Sequence, residues 1–136
     1  MPDVPVVELI GTDERPLCYI IRGAPLPDRT NFPTPASLPL QTGFIVYPAG
    51  HEIPRHAHLP IKRELSVTSE VLVVLRGRCA LDIYDDSRAL AATRELDQGD
   101  VMVMVGGGHG FRMIEDTVLL EVKQGPYTGL AEKERF

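Results

Sequence analysis

Histidine is the residue type in this sequence best suited to chemistry, and the four histidines stand at positions 51, 56, 58 and 109. His56 and His58 are two residues apart, and side chains at i and i+2 of a β-strand point to the same face. Two neutral imidazoles on one face form half of a site for Zn, Fe, Ni or Cu. Two surface histidines would show the same spacing, so the assignment depends on the surrounding residues. His51 has the opposite strand parity and is not expected to be a ligand.

Two stretches of the chain combine histidine with glycine at fixed offsets. In the first, a glycine stands six residues before the H-x-H pair, and a glutamate stands seven residues before a second glycine. In the second, a Gly-Asp pair is followed by an apolar stretch, three glycines and the last histidine. These positions are Gly50, His56, His58, Glu70 and Gly77, and then Gly99, Asp100 and His109. The two stretches resemble the motifs of the cupin superfamily, G-x5-H-x-H-x3/4-E-x6-G and G-x5-P-x-G-x2-H-x3-N, over the range Gly50–Met113.

The resemblance implies a jelly-roll β-barrel that holds one metal ion in its interior. Carried over by position, the ligands are His56, His58, Glu70 and His109. Three imidazoles and one carboxylate leave two exchangeable positions on an octahedral ion, which suits Fe, Mn or Ni, whereas Zn prefers fewer ligands. The expected cofactor is therefore one divalent transition metal from the set Fe, Mn, Ni and Zn.

The sequence departs from the motifs at three places. Eleven residues separate the H-x-H pair from Glu70, where the motif has three or four. Glu64 is nearer to the motif spacing, but only Glu70 precedes a glycine at the required offset. In the second motif Val105 replaces proline, Met113 stands at the asparagine position, and His109 arrives one residue early. A three-glycine turn accommodates the shorter spacing, because glycine accepts positive φ at little cost.

Short, β-branched apolar runs bounded by turn residues predict an all-β fold, a barrel or a sandwich, in which every motif residue lies on a strand or at its end. Ten strands are expected, and they are Val6–Ile10, Leu17–Arg22, Gly43–Tyr47, Glu52–His58, Glu70–Leu75, Ala80–Tyr84, Leu90–Leu96, Val101–Val105, Gly110–Ile114 and Val118–Lys123.

The 136 residues are expected to form one cupin domain. Its core barrel spans about 42–124, after N-terminal strands and a Pro-rich arm in 1–41 and before a C-terminal tail in 125–136. The segment Gly23–Gln41 carries five prolines, which remove the N–H donors that a central strand needs. It is interpreted as an extended arm along the barrel surface, with a plain surface loop as the open alternative.

The predicted pocket is mainly apolar. Side chains that share the parity of the ligands are Leu72, Val74, Phe111 and Met113, and Tyr127 is a further candidate. Such a lining favours a small ligand held chiefly by the metal. Glu121 and Lys123 share one face of the last strand. They could reach into the barrel, but this face is assigned to solvent.

Composition and charge exclude several partners. A net charge of −5 without a basic stripe argues against nucleic-acid binding. The chain has no apolar run of the ~20 residues that cross a bilayer and no recognisable secretory leader. Two isolated cysteines fit buried thiols in a reducing cytoplasm. The run Val71–Leu75 is apolar on both faces, and the face turned away from the barrel needs cover. The Pro-rich arm or a second subunit could supply it, and we expect a homodimer.

The function expected from these features is a metalloenzyme that acts on a small polar or sugar-related molecule, with no reaction assigned. A non-catalytic module that binds a small molecule or sugar through the metal is the alternative, and a structural cupin with an idle site is a third. Cupins perform several kinds of metal chemistry, so the fold alone does not choose among them.

Overall fold

Eight β-strands make up the regular structure of the chain. The computed structural model describes residues 6–129 and 132–136, and within these residues it contains no helix, hence none that could cross a membrane. The all-β prediction is confirmed. The strands are β1 (Val7–Gly11), β2 (Pro16–Ile21), β3 (Glu70–Arg76), β4 (Arg78–Tyr84), β5 (Leu90–Asp97), β6 (Val101–Met104), β7 (Gly108–Met113) and β8 (Val118–Lys123).

The strands form two antiparallel sheets, one of five strands in the order β1-β2-β6-β3-β8 and one of three in the order β5-β4-β7. Their inner faces pack together, because alternate residues of each strand are apolar and point the same way. The resulting core holds Cys18, Ile20, Leu72, Val74, Cys79, Leu81, Ile83, Leu96, Met102 and Met104.

The two sheets are joined along one side and open along the other, so they do not close into a barrel. On the joined side Arg94 of β5 donates hydrogen bonds to the Glu8 carboxylate of β1 at 2.8–3.2 Å. On the other side β7 and β8 end their sheets without a further strand. Edge strands of this kind present unpaired N–H and C=O groups.

Asp100 of the Gly-Asp pair holds the turn between β5 and β6. Its carboxylate accepts hydrogen bonds from the backbone N–H groups of Gly23 and Asp97 and from the Arg22 guanidinium, at 2.8–3.0 Å. This buried residue therefore fixes the start of β6 and takes no part in the predicted metal site.

The outer face of the five-stranded sheet is only partly covered. Tyr19, Ile21 and Val103 form a second apolar cluster there, and Leu38 of the Pro-rich segment packs against it together with Phe44. The cover stops before β8, whose outward side chains Val118, Leu120 and Val122 are 41–50% exposed.

Two predicted strands, Gly43–Tyr47 and Glu52–His58, are wrong. Phe44 makes one isolated bridge to Asn31, and residues 52–58 pair with no other strand. Every residue from 47 to 68 is exposed. Strand periodicity is present in this stretch, but a strand also needs a partner for its backbone groups, and Pro54 has no N–H to offer one.

Candidate metal centre

A cavity of about 1060 Å³ lies beside the inner faces of the two sheets. Strands β3, β6, β7 and β8 each contribute to its wall, and the segment before β3 and the C-terminal tail complete it. The wall contains Thr68, Glu70, Leu72, Met104, His109, Phe111, Leu119, Glu121 and Phe136. Two of the four predicted ligands therefore face the same space.

Glu70 is the first residue of β3, and its position is set by pairing on both sides. It lies opposite Met104 of β6 and Lys123 of β8. Its strand parity is that of Leu72, which belongs to the core, so the carboxylate points inward. The N–H of Ser69 donates to the Gln124 side chain at 2.7 Å and anchors the start of the strand. The side chain of Glu70 is only 11% exposed.

His109 enters the same space from β7, directly after the three-glycine turn. It lies opposite Ile83, a fully buried residue of β4, and shares its inward face. The turn requires glycine at position 107, where φ is +62° and a Cβ atom would collide with the carbonyl oxygen of Tyr84. The glycine run 106–108 therefore allows the tight turn that places His109 on the cavity wall.

The two side chains meet with His109 Nε2 3.2 Å from Glu70 Oε2. The oxygen is buried and accepts no hydrogen bond of normal geometry, although the nitrogen is its close neighbour. The interaction with His109 is the main reason why the pKa of Glu70 lies below its usual value; Lys123 adds to the effect, and burial opposes it.

Imidazole nitrogen and carboxylate oxygen are both donor atoms for transition metals. A buried oxygen without a full hydrogen bond is costly unless something else satisfies it. The pair formed by Glu70 and His109 therefore suits a metal ion, which would give the orphaned oxygen a partner.

Glu121 and Lys123 also point inward, so their assignment to a solvent face is wrong. Glu121 lies opposite Leu72 and lines the cavity, and Lys123 lies opposite Glu70. Lys123 Nζ is 3.7 Å from Glu121 Oε2. In the run VLLEVK both faces of β8 carry apolar residues, Leu119 on one and Val118, Leu120 and Val122 on the other. The face that packs on the core cannot be determined from this pattern alone.

His56 and His58 remain outside this cluster. Both lie in the exposed stretch, their rings meet edge to face with centroids 5.3 Å apart, and His56 Nδ1 is 2.9 Å from the carbonyl oxygen of Pro54. Across residues 6–129 and 132–136, no three His, Cys, Asp or Glu side chains are grouped closely enough to hold a metal ion. Glu64 is exposed in the same stretch, and His51 stacks on Tyr47 at 4.0 Å.

Comparisons with family models, curated proteins and solved structures find no match to this chain. The function is therefore inferred from the residues themselves and from the cavity that they line.

The five predicted pocket residues occupy different environments. Leu72 and Phe111 line the cavity, whereas Val74 is buried within the apolar core. Met113 is 53% exposed at the end of β7, and Tyr127 is 81% exposed after the last strand. The apolar part of the cavity wall is instead completed by Met104 and Leu119, which no motif singles out.

The C-terminal tail forms one rim of the cavity. Phe136 packs edge to face on Tyr84 with ring centroids 5.1 Å apart, and it lies against Gly108. Arg88 makes two contacts with the tail. Its guanidinium lies 5.0 Å from the centre of the Phe136 ring and forms a salt bridge of 2.6 Å with the Glu134 carboxylate. The tail therefore narrows the access to the three-glycine turn that carries His109.

Proposed function

We propose that this chain is a cupin-type metal protein that binds one divalent transition metal through Glu70, His109 and the pair His56 and His58, and that it acts on a small polar ligand. The observation that carries the proposal is the meeting of His109 Nε2 with a buried Glu70 oxygen that lacks a full hydrogen bond. The cavity beside them provides space for a ligand.

The histidine pair completes the site when residues 52–58 add as a strand to the free edge of β7. Antiparallel neighbours on one face bring their Cβ atoms within about 5 Å, so inward-facing histidines on the added strand would lie beside His109. Pro54 is compatible with this arrangement, because the added strand is itself an edge strand with one unpaired side. The added strand also extends the smaller sheet toward a closed jelly roll.

A bound divalent ion with open positions would act as a Lewis acid toward a ligand oxygen. The chain's own groups determine which ligand fits. Glu121 lines the cavity and offers a carboxylate that can accept a proton. The ammonium group of Lys123 lies 3.7 Å from that carboxylate and adds positive charge beside it. Leu72, Met104 and Phe111 form an apolar wall that excludes water and limits the size of the ligand.

The test is metal binding by untagged protein that has been stripped of metal and then offered Fe(II), Mn(II), Ni(II) and Zn(II) separately. We expect close to one ion per chain. Glu70→Gln should weaken the affinity at least about tenfold, whereas the matched control Glu64→Gln, at an exposed carboxylate outside the cavity, should change it by less than about threefold. A wild-type chain that takes up none of the four ions, or equal losses in both variants, would exclude the proposed site.

The metal-loaded and metal-free proteins are then compared in a thermal-shift screen of small polar molecules, including sugar derivatives and carboxylates. A ligand of the site should raise the melting temperature only of the loaded protein, because a molecule stabilises the state that binds it. Conversion of that ligand identifies an enzyme. Stabilisation without conversion identifies the alternative, a binding protein.

A further inference from the structure

The chain exposes far more surface than a compact protein of its size. Its accessible surface is 9500 Å² for 15.0 kDa. A folded monomer of this mass is expected to expose about 7,000 Å². The excess is therefore roughly 2,500 Å². The longest run of exposed residues is 47–68.

The exposed stretch and the open edges both carry large apolar side chains, which in the stretch stand among charged residues. Along and beside the stretch the large apolar side chains that are at least 47% exposed are Ile45, Tyr47, Ile53, Leu59, Ile61, Leu65 and Val67. At the open edges they are matched by Met113 and Ile114 at the end of β7 and by Val118, Leu120 and Val122 on β8. Apolar surface of this extent marks an interface.

We propose that two copies of the chain exchange residues 45–68, so that His56 and His58 of each copy enter the cavity of the other. The metal site is then shared between subunits, with Glu70 and His109 from one copy and the histidine pair from its partner. This inference deepens the proposed function and depends on it for the identity of the ligands.

The ends of the exchanged segment are fixed to their own chain, whereas residues 52–65 form no β-bridge and no backbone–backbone hydrogen bond with any described strand. Phe44 and Asn31 exchange backbone hydrogen bonds at 2.8 and 3.0 Å before the segment begins. Ser69 is tied to Gln124 where it ends. Between these points large apolar side chains stand among charged residues, and every residue from 47 to 68 is exposed. A second copy supplies a surface that covers the apolar side chains.

A symmetric exchange covers both the apolar side chains of residues 45–68 and the open edges of the two sheets. The same segment leaves each copy and covers the same edges of the other, as a two-fold interface requires. Covering the excess surface of both copies buries roughly 5,000 Å², which lies at the upper end of the range for obligate dimers. A contact between two compact monomers would leave the segment and the edge of β7 unpaired.

The first test uses two variants that are each unable to build a complete site. One carries His56→Ala and His58→Ala, and the other carries Glu70→Gln and His109→Ala. Each variant alone should bind no metal at the site. When they are refolded together from a 1:1 mixture, half of the dimers pair one copy of each, and each such dimer regains one of its two sites. The mixture should therefore recover about one quarter of the wild-type metal per chain.

Recovery overturns a site made within one chain, because neither variant holds a full set of ligands. If the wild type binds one ion per chain and the mixture recovers none, the exchange is wrong and the proposed function stands with the segment folded onto its own chain.

The second test does not involve metal. A photo-crosslinking amino acid replaces Ile53 in the exposed stretch, and a control protein carries it at Glu14, in the turn on the joined side of the sheets. Exchange predicts covalent dimers of twice 15.0 kDa from position 53 and none from position 14. Crosslinks from position 53 that remain within one chain overturn the exchange, whether or not the wild type binds metal.

Discussion

At the scale of single residues, Glu70 shows how strand pairing can hold a carboxylate in the interior of the protein. The carboxylate is held at the start of β3 by two neighbouring strands and is nearly buried, yet one of its oxygens lacks a full hydrogen bond. Burial disfavours a charged group, and His109 offsets that cost by favouring the ionised form. The interaction with His109 therefore favours the deprotonated carboxylate, which is the form that the proposed metal site requires.

The buried thiols show a different use of the interior, because they are inert and are kept protonated. Burial raises the pKa of the Cys18 thiol from 9.0 to about 12. A group that holds its proton more tightly in the folded state contributes stability below its unfolded pKa and loses it as the pH rises toward its folded pKa. The stability supplied by Cys18 should therefore fall between pH 9 and 12.

Cys18→Ala should remove this alkaline loss. By pH 11 the wild type should have lost about 2–3 kcal/mol of unfolding free energy through Cys18, at about 1.4 kcal/mol per pH unit above pH 9. Urea unfolding at fixed protein concentration, from pH 7 to 11, measures the difference. The control Val103→Ala deletes a comparable part of the core without removing a titrating group, and it should keep the wild-type slope. A Cys18→Ala slope equal to that of the control would mean that the thiol ionises in the folded state.

At the scale of elements, the Glu8–Arg94 pair joins the edges of the two sheets, and its removal should open that side. The Arg94 guanidinium makes a bidentate contact with the carboxylate and lowers the pKa of Glu8. Because the pair is partly exposed, Arg94→Met should cost only about 0.5–1 kcal/mol of unfolding free energy. This contribution is present above the usual pKa of a glutamate and is lost as the pH falls through the lowered value.

Hydrogen exchange locates the effect. Arg94→Met should increase the exchange of backbone amides in Val7–Gly11, where β1 loses its tie to the other sheet. The control Arg112→Met removes an Arg–Asp pair of similar chemistry to Asp82, which lies within the three-stranded sheet. It should leave β1 protected. Equal exchange of β1 in both variants would mean that packing alone holds the joined edges together.

Most strands could be predicted from the sequence because their determinants are local. Eight of the ten predicted strands are present, with ends shifted by at most two residues. Alternating apolar residues and turn glycines determine where a strand begins and ends. Whether a strand finds a partner is not local. Glu52–His58 shows the difference, because it was expected to be a strand and pairs with none of the strands in the described part of the chain.

The candidate site was predictable only in part. The parity and offset of Glu70 and the glycine run before His109 bring these two residues to one cavity, whereas His56 and His58 lie outside it. Glu121 was misplaced, because β8 turns its charged residues inward and its valines outward. That orientation follows from the pairing of Glu121 with Leu72, and this pairing links residues almost fifty positions apart in the chain.

At the scale of the whole molecule, the surplus of exposed surface predicts an assembly that is larger and more compact per residue than a single chain. A compact chain of 136 residues has a radius of gyration of about 14 Å, and a compact pair of such chains has one of about 18–19 Å. Small-angle scattering should give the larger value, and light scattering should give twice 15.0 kDa. Because exchange makes folding and association one step, the unfolding midpoint should rise with protein concentration.

The variant His56→Ala with His58→Ala is the control for metal, since it should keep the mass and the radius if apolar burial holds the dimer. A monomer with a radius near 14 Å and a midpoint independent of concentration would place residues 45–68 on the edges of their own chain and would make each metal site the property of one subunit.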